Sequence, residues 1–184
     1  MALEIRWHKA EPHQDVLEKV DWMTEELRCL EVGRAASRRI TFSDLVEPVL
    51  TAVRNLSWLV SRDIIFGRSP EGDMMSEEEI DNVIVRRFDD WLVMSPDLVS
   101  RYAKFVDNDW CDVIGVVNPS ILSDLPNLNR SFLEEEVAIS FACVDGAYWL
   151  ALSRHEELLQ AMQSKFPSSR HTSLEAAKQF LYFL

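Results

Sequence analysis

Residues 137–153 read VAISFACVDGAYWLALS, two apolar arms around Asp145-Gly146. Asp-Gly is a preferred pair for the two-residue type I′ turn, whose twist matches that of the strands it joins. The stretch is therefore expected to be a β-hairpin. A two-residue turn sets the register: Cys143 opposes Tyr148, Phe141 opposes Leu150, and Ile139 opposes Leu152. All six are apolar or aromatic and would share one face, leaving Ala138, Ser140, Ala142, Trp149 and Ala151 on the other. Ile139, Phe141, Leu150 and Leu152 are expected to be buried together on that first face.

Working outward, Asp112 to Val117 reads as a strand, with Val113, Ile114, Val116 and Val117 suggesting burial on both sides. Near the N-terminus, Leu3, Ile5 and Trp7 alternate with Glu4, Arg6 and His8, which predicts a short strand at 3–8. Elsewhere the apolar residues recur at helical spacing. Val16, Val20, Met23, Leu27 and Leu30 form one stripe after Pro12, and Gly33 can cap its end. Ser43 can cap a second helix, with Asp44 in its first turn, Pro48 about one turn in, and Leu45, Val49, Val53, Leu56 and Val60 on one face. Ser76 with Glu79 makes a capping box ahead of Ile80, Ile84, Phe88, Trp91 and Leu92. Ser95-Pro96-Asp97 restarts a helix through Leu98, Tyr102 and Phe105. Ser153 is expected to cap a helix at 154–166 and Ser173 one at 174–184, with the apolar end, Phe180 to Leu184, docked on the body. The stretches 66–73 and 118–129 read as loops from their Gly, Pro and Asn content.

With five Gly and seven Pro in 184 residues, a turn-rich all-β fold is disfavoured. The expected fold is α+β: a predominantly helical single globular domain, 1–184, with a small, mainly antiparallel sheet. That sheet comprises the hairpin 137–153 and strands near 3–8 and 112–117.

Charge narrows the function. The net charge is −12. Residues 1–70 carry 11 acids and 10 bases, and residues 137–184 carry 4 of each; residues 71–136 carry 16 acids and 5 bases, a net −11. Phosphate-binding surfaces need the opposite sign, so no nucleic-acid partner is expected, and an anionic membrane would repel the chain. The start of the chain has no apolar leader, and Cys29, Cys111 and Cys143 are odd in number and widely spaced, so a cytoplasmic, reducing setting is expected.

No residue pattern carries chemistry, so catalytic residues, metal ligands and cofactors are not expected. His8, His13, His155 and His171 are scattered, and His155-Glu156-Glu157 lacks the second His of a zinc helix; it reads as a solvated first helical turn. Asp107-Asn108-Asp109 with Asp112 resembles a calcium loop only briefly, because the required Gly and Glu positions are Asp112 and Asn118. Cys143 and Cys29 read as small core residues, and Cys111 has acidic neighbours that weaken it as a nucleophile.

What remains is the acidic middle of the chain. Glu77, Glu78, Glu79, Asp107, Asp109, Trp110 and Asp112 are the expected partner-binding residues: an exposed acidic face with Trp110 as aromatic anchor for a basic protein. Small, strongly acidic, α+β and without a catalytic motif, the chain is similar in profile to the immunity proteins that neutralise bacterial toxins. That resemblance implies an inhibitor that occludes the active site of a basic toxin. Two other classes compete with it: an enzyme whose site is assembled from dispersed Asp, His and Cys residues, which needs a pocket where they converge, and a regulatory or scaffolding subunit, which needs a large exposed apolar patch.

Overall fold

The computed structural model describes residues 26–33, 39–61, 66–67, 69, 72–106, 111–124 and 127–181. The strand expected at 3–8 and most of the first expected helix lie outside them. The strands are β1 (Arg28–Val32), β2 (Ser57–Ser61), β3 (Ile84–Arg87), β4 (Trp91–Met94), β5 (Cys111–Val116), β6 (Val137–Val144), β7 (Tyr148–Ser153) and β8 (Arg170–Thr172). They form one sheet in the order β3-β4-β2-β5-β6-β7-β1-β8, and every neighbouring pair is antiparallel. The helices are short: α1 (Phe42–Val46), α2 (Leu50–Val53), α3 (Glu77–Val83), α4 (Arg130–Glu136), α5 (Glu156–Lys165) and α6 (Leu174–Ala177), with π and 3-10 turns over 98–105.

The expectation of a predominantly helical domain with a small sheet is therefore wrong. Among the described residues an eight-stranded antiparallel sheet organises the fold, and it draws strands from residue 28 to residue 172. For β2, β3 and β4 the error has one physical source. Ile80, Ile84, Phe88 and Leu92 are spaced by four, as are Leu56 and Val60, with Val53 at nearly that interval before them. A spacing of four is close to one helical turn, yet it is also two full periods of a strand. The helix that begins at Ser76 ends at Val83, and Ile84 and Leu92 lie on β3 and β4. The helix after Thr41 ends at Val53, and Val60 lies on β2. Leu30 belongs to β1, where Glu31, buried in spite of its charge, is offset by Arg170 across the β1–β8 pair at 3.2 Å. The cap of α1 is Thr41 rather than Ser43, with Asp44 completing its capping box.

The hairpin exists, but one residue out of register. Asp145 and Gly146 both take positive φ, 52° and 58°, and the Ala147 N–H donates to the Val144 carbonyl at 2.9 Å. The Asp-Gly turn thus forms, but Ala147 is left outside the ladder and Val144 pairs with Tyr148. Phe141 then opposes Ala151, and Ser140 opposes Leu152. One residue of slip moves a whole arm to the other face. All four residues of the expected cluster are buried, but Ile139 and Phe141 join one core while Leu150 and Leu152 join the other. Both faces of β6 and β7 are buried along their full length, so apolarity could not tell the two registers apart.

Helices cover both faces of the sheet. On the first face, Leu30, Trp58, Val60, Val113, Phe141 and Trp149 pack with Phe42, Leu45 and Val53 of the α1–α2 segment and with Leu98, Leu159 and Met162. On the second, Cys29, Leu59, Ile114, Leu150 and Leu152 meet Leu122, Phe132, Leu133, Ala177 and Leu181. Docking of the C-terminal segment is thus seen as far as Leu181, with Phe180 meeting Tyr148 edge-on at 6.1 Å. Among the described residues no helix is long and apolar enough to cross a membrane.

Candidate functional site

Of the acidic residues singled out from the sequence, Asp112 is not brought to the surface that carries Glu77 and Glu78. Asp107, Asp109 and Trp110 lie outside the described residues. Asp112 is 3% exposed, in the strand next to the middle of the sheet. It opposes Ala142 on β6, and its N–H donates to Ser61 Oγ at 3.1 Å. The expectation that Asp112 belongs to an exposed acidic face is therefore wrong: strand pairing on both sides removes it from the reach of a docking partner. Its position in a run of Val, Ile and Gly was the signal, since an alternating residue in a doubly covered strand is buried whatever its charge.

Glu77, Glu78 and Glu79 do sit together, on the first turn of α3 at the β3 end of the sheet. Ser76 starts that helix because its side chain accepts the Glu79 N–H at 3.2 Å, while Glu79 reaches back to the Ser76 N–H at 2.9 Å and to its hydroxyl at 3.0 Å. The Ser76 backbone N–H, then its hydroxyl, hold the Glu79 carboxyl below its usual range. Glu79 is thus committed to the cap. Its neighbours Glu77 and Glu78 are exposed, and among the described residues neither has an ion-pair partner. Acids at a helix start also favour the positive end of the helix dipole.

Other acids of the segment are neutralised locally. Asp81 pairs with Arg87 at 2.7 Å, Asp97 with Arg101 at 3.3 Å, and Asp73 with Lys104 at 3.5 Å. Glu134, Glu135 and Glu136 lie on α4, which covers the second face, whereas Val83 of α3 packs in the core of the first. Among the described residues, the acids of the segment 71–136 are therefore spread over two sides of the sheet.

Ser76→Ala is expected to lower stability by about 1 kcal/mol, the usual worth of an N-cap. A depressed carboxyl pKa contributes stability above the unfolded value, and that contribution is lost as pH falls through the folded value. The difference between wild type and Ser76→Ala should accordingly be full at neutral pH and shrink in acid, below the ordinary carboxylate range. Denaturant melts of both proteins at pH 7 and pH 3 check this; a difference that grows on acidification would contradict the capping geometry.

Two clefts test the possibility of a dispersed catalytic site. One, about 420 Å³, lies at the β1–β8 edge between Arg28, Cys29, Glu156, His171 and Ser173. Burial, and then the charge of Glu31, push the Cys29 thiol up to about 12, so it is not a thiolate at neutral pH. Arg28 holds Glu156 at 2.5 Å. Burial acts to raise that carboxyl, but the hydrogen bonds from Arg28 and Gln160, with the charges of Arg28 and His171, outweigh it and leave it lowered. An ionised, paired glutamate is a poor general acid. The other cleft, about 210 Å³, runs between α1–α2 and the 98–105 turns, lined by Glu47, Leu50, Arg101 and Lys104. His155 is not solvated as expected: it is buried at the N-cap position of α5, where its side chain makes no cap hydrogen bond, with Nδ1 at 3.5 Å from Glu157. Among the described residues no group of three His, Cys, Asp or Glu side chains could hold a metal ion. The large apolar side chains most exposed to solvent there are Met74, Val85 and Val117.

No protein family, curated protein or solved structure matches the chain.

Proposed function

We propose that the protein is an acidic protein-binding module, acting in the cytoplasm as an immunity-type inhibitor that occludes a basic partner such as a toxin domain. The observation that carries this reading is Glu77 and Glu78: two carboxylates exposed side by side without an ion-pair partner among the described residues, within the segment that holds nearly all of the net negative charge. Asp107, Asp109 and Trp110 are assigned to the same partner contact; Asp112, being buried, is not. Acids on a surface of this kind steer a cationic partner into encounter and set the association rate more than the lifetime of the complex.

The test is a capture from lysate on the immobilised protein, followed by binding kinetics with the captured partner at two ionic strengths. The Glu77→Ser/Glu78→Ser variant is expected to associate roughly three- to tenfold more slowly at low salt. The gap should close near 1 M salt, where the Debye length is about 3 Å. Dissociation should change less than association. Equal association rates for variant and wild type at low salt would overturn the reading.

A further inference from the structure

Cys111 is the first residue of β5 and Cys143 the last but one of β6, and the two stand directly opposite each other in the antiparallel ladder. Both face the first core and are buried there, and neither is in a disulfide. The Asp112 N–H points to Ser61 on β2. Successive residues of a strand turn their backbone groups to opposite neighbours, so Cys111 turns toward β6 and forms a hydrogen-bonded pair with Cys143. Such pairs hold their Cα atoms about 5.5 Å apart, inside the roughly 4.4–6.8 Å range of disulfides. Their Cβ atoms stand about 5 Å apart, beyond the disulfide mean of about 3.8 Å. A bond there is therefore possible without moving the strands apart, but it draws the side chains together under strain, and strained disulfides are the readily reduced ones.

The geometry points to Cys111 and Cys143 as a reversible redox pair: a cross-strand staple that a low-molecular-weight disulfide closes and a thiol reopens. One cysteine thiolate attacks the reagent disulfide and releases one reagent thiol. The second displaces the remaining half, so that two reagent thiols leave, two electrons pass to the reagent, and the Cys111–Cys143 bond forms. Access comes from position. Both residues lie at the end of their strands, beside the 145–147 turn and the start of β5, where ladders open without global unfolding. Cys29 is excluded from the exchange. It lies on β1 opposite Leu152 and Thr172, in the core of the other face, away from the side on which Cys111 and Cys143 meet.

The test is made on the wild-type protein alone and is independent of any partner. It is incubated with oxidised glutathione, then denatured and alkylated with N-ethylmaleimide. Labelling is expected to fall from three groups per chain to one, with the bond mapped to 111–143 by mass spectrometry and all three labels restored by dithiothreitol. Closing the long 111–143 loop should raise Tm by about 5 °C. Cys29→Ser should still lose two labels, whereas Cys111→Ser should form no internal bond and lose at most the one label that a glutathione adduct on Cys143 accounts for. Three labels retained after prolonged oxidation, a stable glutathione adduct without an internal bond, or a bond through Cys29 would each overturn the proposal.

Discussion

Trp149→Ala is expected to lower stability by about 4–5 kcal/mol. Trp149 is 2% exposed, and its ring packs against Phe42 at 6.0 Å between centroids. Emptying a site of that size costs about 3–5 kcal/mol in lost burial and residual cavity. A second loss follows, because Trp149 Nε1 donates to the Ile40 carbonyl at 2.8 Å, a buried bond that ties the chain before α1 to β7. An acceptor stranded in the core adds about 1 kcal/mol or more. For a chain of this length the change corresponds to a fall in Tm of roughly 8–20 °C. Trp149→Phe keeps most of the apolar contact and loses the hydrogen bond, so about 1–3 kcal/mol is expected. Chemical denaturation of both variants checks the order. A Trp149→Ala change no larger than that of Trp149→Phe would mean that packing on Phe42 is not what matters there.

Gly115 is expected to tolerate no side chain. It lies in β5 opposite Trp58 of β2. A Cβ placed there would come within 2.9 Å of Leu56 Cδ1 and 2.9 Å of Trp58 Cζ3. The Trp58 ring is fully buried and wedged near Phe42 and Phe141, at 6.4 and 6.5 Å between centroids, so it has no room to withdraw. Gly115→Ala should cost about 2–3 kcal/mol by overpacking, even though Ala is ordinarily the better strand residue of the two. Gly115→Val should cost more, enough to unfold a protein of ordinary marginal stability. Thermal melts of the two variants decide it: a wild-type Tm for Gly115→Ala would show that the Trp58 ring moves freely.

Local chemistry was legible wherever one residue satisfies one nearby group. The Ser76–Glu79 capping box, the Ser173 cap, the positive-φ Asp145-Gly146 turn and the buried strand around Val113 and Ile114 can all be read from a few neighbouring residues, and all are present, although that strand ends at Val116 and leaves Val117 exposed. The candidate site was less legible. Counting charges by segment located the acids but not their neighbours. Arg87, Arg101 and Lys104 neutralise three of them, and α3 and α4 carry others to opposite faces of the sheet.

The sequence by itself determined where short-range structure starts and turns, because caps and tight turns are closed by hydrogen bonds over three or four residues. It also determined which residues are apolar enough to be buried. Tertiary structure alone decided whether a run with four-residue spacing stays helical beyond its first turns or becomes a strand. That choice rests on whether a partner strand is available to take the backbone groups, and at Val83–Ile84 the partner is β4. It also decided the hairpin register, since both faces of β6 and β7 are covered and only the placement of Ala147 outside the ladder separates Phe141 from Leu150. Asp112 follows from the same cause. A strand paired on both sides and roofed on both faces buries whatever residue falls within it; the run of Val, Ile and Gly after Asp112 marks such a strand, but which strands and helices enclose it is set by the tertiary structure.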